Sequence, residues 1–106
     1  MTITTWNIEA MTGYKPITTF YEDFSIADRF GVNAVQDTFN RAFESWKGDY
    51  KYLTELVMVM SWKSFEHHTR NEALCNLYCD LFSKADEYAC ENLQGKELSY
   101  FYKTTD

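Results

Sequence analysis

The chain has 106 residues, 10 Lys and Arg against 16 Asp and Glu, and a formal net charge of −6. That length accommodates one hydrophobic core rather than two, and 45% hydrophobic and 18% aromatic residues with only 4 Gly and 1 Pro exclude a disordered or low-complexity chain. The overall negative field opposes phosphate backbones and favours basic partners.

The expected architecture is a single, mainly α domain over 1–106, a small bundle of about four helices. Residues 1–18 contain Pro16 and a Thr12-Gly13 step, so they read as irregular or as a short strand around Ile3 to Ile8. No basic region followed by an apolar run opens the chain, and the longest apolar run, Leu56 to Met60, is too short to span a bilayer. No membrane association and a cytoplasmic location are therefore expected.

A helical body is expected over 19–95. Thr19 with Glu22 and Ser25 with Asp28 both have capping-box spacing, so helix begins at one of these points and runs to Gly31, a C-terminal αL residue. Asn33 with Gln36 is a third cap signal, opening a helix from Ala34 to Lys47 with Val35, Phe39, Ala42, Phe43 and Trp46 on one side. Gly48 closes it and Asp49 caps the next segment. There Leu53, Leu56, Val57, Met60 and Ser64 keep the spacing of one face, and the run Leu56 to Met60 adds apolar residues elsewhere, so this helix is central and buried around most of its girth.

Thr69 or Asn71 starts the last long helix, which runs to about Gln94 before Gly95. Leu74, Leu77, Tyr78, Leu81, Phe82, Ala85, Tyr88 and Ala89 fall in one arc, opposite Asn76, Asp80, Ser83, Lys84, Glu87 and Glu91. The aromatic tail, 96–106, alternates Leu98, Tyr100 and Tyr102, a strand pattern that would pair with the N-terminal segment as a two-stranded β appendage.

Four constellations are candidates for function. Residues 25–43 resemble a helix-turn-helix, with Ala27 four before Gly31, then Val32, and Gln36, Asn40, Arg41 and Lys47 as DNA-facing groups. The turn is two residues longer than in the compact motif, and Asp37 and Glu44 offset the cations, so a plain helix-loop-helix is the stronger reading.

His67, His68, Cys75 and Cys79 are metal-ligand types, but the spacing fits no standard zinc pattern. Thiols at the edge of the core and a hydrogen-bonded core histidine explain them better. Three cysteines, Cys75, Cys79 and Cys90, all in one helix, make a poor disulfide framework and read as reduced thiols. Without a Gly-rich phosphate loop, a nucleophile elbow or His-Glu-x-x-His, no catalytic residue, metal or cofactor is assigned.

The third constellation is acidic. Residues 71–106 hold three bases and seven acids, and Asp80, Asp86, Glu87, Glu91 and Glu97, together with Tyr100 and Tyr102, form the candidate partner-binding set. Solvation alone explains most acidic faces; the sharper reading is a carboxylate surface that docks on a partner's basic groove. The fourth is the set of terminal aromatics, Trp6, Tyr14, Tyr21, Tyr100, Phe101 and Tyr102, which either seal the core or anchor a partner.

The stretch Thr-Thr-Phe-Tyr-Glu-Asp-Phe-Ser-Ile-Ala-Asp-Arg-Phe-Gly at 18–31, Tyr-Leu-Thr-Glu-Leu-Val-Met-Val at 52–59 and the closing Tyr-Phe-Tyr-Lys-Thr-Thr-Asp at 100–106 resemble small uncharacterised proteins of phages and mobile elements of Gram-positive bacteria. The resemblance implies a context without a known activity or site residues. By analogy it suggests an accessory factor or an inhibitor of host machinery, including nucleic-acid enzymes and defence systems. The expected function is thus a non-enzymatic, protein-binding accessory protein whose partner is a host or element-encoded protein with a basic groove; a helix-turn-helix DNA-binding regulator is the alternative.

Overall fold

The computed structural model describes residues 17–105, with side chains from Phe20 onward. Helix α1 spans Ile17–Ala27 and buries Phe20, Phe24 and Ala27, one helical stripe. It starts at neither expected capping box. Ser25 and Asp28 are turned instead toward a buried lysine, and a 3₁₀ turn, Asp28–Phe30, tightens the exit.

Gly31 ends this unit as expected, but its backbone is at φ 104° and ψ −175°, not αL. That region is essentially restricted to glycine, and it redirects the chain straight into α2, Val32–Trp46. Gly31 is therefore the residue that caps α2, and the expected side-chain cap from Asn33 is not made. Val35, Phe39 and Phe43 are buried at four-residue steps, with the two phenyl rings stacked 5.4 Å apart.

Asp49 caps α3, Tyr50–Glu66, by accepting from the Lys51 amide at 3.0 Å. Helix α3 is the centre of the bundle and packs against each of the other four helices. Tyr52 to Val57, Val59, Met60 and Lys63 are all buried along it, so the expected burial on several sides is found. Each fully buried Leu, Val or Phe contributes roughly 1.5–3 kcal/mol, which makes this helix the main source of core stability.

Asn71 caps α4, Glu72–Asn92, by accepting from the Leu74 amide at 3.1 Å. The expected arc is observed: Leu74, Tyr78, Leu81, Ala85 and Ala89 are buried, while Asn76, Asp80, Ser83, Lys84, Glu87 and Glu91 are exposed. Gly95, at φ 58°, turns the chain into α5, Lys96–Thr105. The tail is thus a helix rather than a strand. Leu98, Phe101 and Thr105 have helical spacing, and burying Phe101 in the core outweighs the alternation of Leu98, Tyr100 and Tyr102. The other expected strand, around Ile3 to Ile8, lies outside the described residues. No strand occurs among the described residues, and none of their helices is long and apolar enough to cross a membrane.

Candidate functional site

The densest group of titratable side chains surrounds Lys63, which lies on the buried face of α3 at 0% exposure. An ammonium ion removed from water must be paired and hydrogen-bonded, or it loses its charge. Its Nζ donates to Asp28 Oδ2 at 2.7 Å, to Glu66 Oε2 at 3.0 Å and to Ser25 Oγ at 3.0 Å, and sits 4.8 Å from the centre of the Tyr21 ring. Three acceptors use the three ammonium protons.

Both carboxylates are shared. Asp28 also accepts from Tyr78 through Oδ1 and faces His67 Nε2 at 2.8 Å, while Glu66 accepts from Tyr21. The His67 and Tyr78 rings stack nearly parallel, 5.8 Å apart. The network joins α1 (Tyr21, Ser25), the 3₁₀ turn (Asp28), α3 and its C-cap (Lys63, Glu66, His67) and α4 (Tyr78).

The electrostatics follow from the packing. Burial pushes the Asp28 carboxyl up, but hydrogen bonds from Lys63, Tyr78 and His67 and the Lys63 charge outweigh it, leaving it below the usual range. Glu66 is likewise pushed up by burial and pulled down further by Tyr21 and Lys63. Tyr78 is held protonated by burial and then by its bond to ionised Asp28; the bond to Glu66, then burial, raises Tyr21. Because Asp28 is an ionised acceptor, His67 Nε2 carries the proton of their hydrogen bond.

Asp28, Glu66 and His67 place potential metal donors within 4.8 Å of one another. The space between the two carboxylates is taken by Lys63 Nζ, which supplies the cation from within the chain. A cleft of about 410 Å³ opens between α1 and α2 among Phe24, Ile26, Arg41 and Trp46, and no residue of the network lines it. The titratable groups that line this cleft are Asp23 and Arg41. Through these contacts the network links three helices by charge and hydrogen bonds.

Sequence reasoning identified His67 as a hydrogen-bonded core histidine, and the structure agrees. It missed Lys63, Asp28 and Glu66. The available signal was Lys63 itself, in step with Leu56, Met60 and His67 on the apolar face, where a cation requires a carboxylate. The cysteines do not join the network: Cys75 is half-buried, Cys79 and Cys90 are exposed, and all three are free. Burial, followed by the neighbouring Cys79, pushes the Cys75 thiol up, away from the thiolate that metal binding or nucleophilic attack needs.

The expected partner-binding set divides into three. Asp80, Glu87 and Glu91 are exposed on the outer face of α4, and Glu97 is exposed on the first turn of α5. Asp86 and Tyr102 lie together at the α4–α5 flank, where the Tyr102 hydroxyl is 3.7 Å from Cys90 Sγ. That contact, then the Cys90 and Asp86 charges and burial, raises the Tyr102 hydroxyl. Tyr100 instead packs edge-on against Tyr50 on α3, 5.2 Å between ring centres. No ion pair involves any of these five carboxylates among the described residues.

The DNA-facing alternative is arranged differently. On α2, Arg41 pairs with Asp37 at 3.2 Å, Lys47 with Glu44 at 3.0 Å, and Gln36 donates to Asn40 at 3.1 Å. Each polar group offered to bases or phosphates is thus engaged within its own helix. Comparison with protein-family models, with curated proteins and with solved structures returns no match to this chain.

Proposed function

We propose that the chain is a non-enzymatic, protein-binding accessory factor of a phage or mobile element, whose acidic face occupies a basic groove of the kind found in host nucleic-acid enzymes. One observation carries the reading: Asp80, Asp86, Glu87, Glu91 and Glu97 have no cationic partner among the described residues, whereas the cations of α2 each have an anionic one. Unpaired carboxylates on a rigid helix are available for intermolecular charge complementarity, which speeds association and selects partners. Arg41 and Lys47 would have to break an existing pair to meet phosphate, which disfavours the helix-turn-helix reading.

Affinity capture from a lysate of the native host is the test. One stoichiometric protein should be retained at low salt, released as salt rises, and lost with the Asp80→Lys/Glu87→Lys/Glu91→Lys variant. An electrophoretic shift of the element's own promoter DNA that Arg41→Ala abolishes would replace this reading with the regulator.

A further inference from the structure

Two of the three thiols stand one helical turn apart. Cys75 and Cys79 both lie on α4, and over four residues a helix advances about 6 Å and overshoots a full circle by about 40°. Their Cβ atoms are therefore neighbours at roughly 5–6 Å, with both side chains leaning toward the start of the helix. Cys79 is exposed, Cys75 is half-buried, and both are free. Each directly follows a buried residue, Leu74 or Tyr78, so the packing of the apolar arc fixes where the two sulfurs emerge. Cys90 is the contrast: it lies about 16 Å further along the axis than Cys79 and faces the Tyr102 hydroxyl at 3.7 Å.

The surroundings narrow what such a pair can hold. A closed zinc site takes four ligands, and Cys75 and Cys79 belong to no group of three or more His, Cys, Asp or Glu donors within 4.8 Å of one another among the described residues. Ions that need a preformed thiolate are disfavoured as well, because burial, then Cys79, then the Glu72 charge push the Cys75 thiol up. Glu72, exposed on the first turn of α4, also repels oxyanions. The ligand that suits two protonated thiols beside a carboxylate is a neutral centre that brings its own third substituent and joins sulfur by condensation.

We infer that Cys75 and Cys79 form a chelating dithiol site for a trivalent organoarsenical in its dihydroxide form. Each arsenic–oxygen bond breaks as an arsenic–sulfur bond forms, and each hydroxide leaves with one thiol proton as water, so two waters are released. Arsenic stays trivalent and nothing is oxidised or reduced. The second arsenic–sulfur bond closes within the molecule, at an effective concentration far above that of any free thiol, which separates the pair from a single cysteine. The chelate spans one turn of α4 and leaves the helix intact. The site does not rest on the role proposed for the acidic face.

Phenylarsine oxide, which hydrates to the dihydroxide, is the probe. Titration of the reduced full chain, followed by intact mass and by free-thiol assay, should give a one-to-one adduct in which two of the three thiols are lost, with helical circular dichroism unchanged. The adduct should persist in excess glutathione and be released by dithiothreitol, a competing dithiol. Cys75→Ser and Cys79→Ser should each weaken binding about a hundredfold or more, while Cys90→Ser leaves it unaltered. Because Cys79 is exposed, Cys79→Ser tests the site even where Cys75→Ser disturbs the packing. Undiminished affinity in Cys79→Ser, loss of binding in Cys90→Ser, or an adduct that consumes a single thiol would overturn the inference. So would the absence of an adduct on the folded chain, or one formed only with loss of helix.

Discussion

The inner face of α3 and the outer face of α4 both carry charge, and they treat it in opposite ways. Around Lys63 each ionised group has at least two polar partners; along Asp80, Glu87 and Glu91 no ion pair forms among the described residues. The difference is solvation. Water stabilises the exposed carboxylates at no structural cost, whereas a buried ammonium without partners costs several kcal/mol, and Lys63 is accordingly given three acceptors. The charges around Lys63 are thus engaged within the fold, whereas Asp80, Glu87 and Glu91 are left to solvent.

The most severe way to break the contrast is to remove the central cation. Lys63→Met leaves Asp28 and Glu66 half-buried without their shared cation, and should cost about 3–5 kcal/mol in urea denaturation. Acidification attacks the same network from the other side. Because Asp28 and Glu66 are depressed in the folded state, their contribution is complete above their ordinary values of 3.8 and 4.5 and is lost as pH falls through the lowered ones. Tyr21 and Tyr78 are raised, so their contribution is complete below the ordinary 10.0 and is lost as pH climbs beyond it. Thermal melting against pH should accordingly give a plateau from about pH 5 to about pH 9, falling on both sides.

Smaller effects sharpen the comparison. Tyr78→Phe keeps the ring against His67 and Phe24 but removes a donor from Asp28, and should cost about 1–3 kcal/mol by the same denaturation assay. Asn71→Ala removes the α4 cap and should cost about 1 kcal/mol. At the bottom of the scale, Glu87→Gln/Glu91→Gln should leave stability within about 0.5 kcal/mol, while weakening capture of the partner.

What was legible in the sequence follows the same division. Helix α4 was readable because every side of it reports its environment, apolar arc inward and charged face outward, and Asp49 and Asn71 mark helix starts through local chemistry. The tail was misread because five residues, Leu98 to Tyr102, satisfy both a period of two and a helical stripe, and only the docking of Phe101 decides between them. The Lys63 network was hidden because, apart from the Lys63–Glu66 pair one turn apart, its contacts reach from Lys63, Glu66, His67 and Tyr78 back to Tyr21, Ser25 and Asp28, up to 50 positions away, a pairing no local pattern encodes. For the partner-binding set, exposure was legible, but the packing of Tyr100 on Tyr50 that separates it from the acidic face was not.

Parallel urea unfolding of Lys63→Met and Asp80→Lys/Glu87→Lys/Glu91→Lys is the most direct test that inner charges hold the fold and outer ones do not. The first variant should lose several kcal/mol with an unchanged denaturant slope, and the second should unfold within about 0.5 kcal/mol of the parent. A parent-like midpoint for Lys63→Met, or a collapse of the charge-reversed protein, would contradict the account.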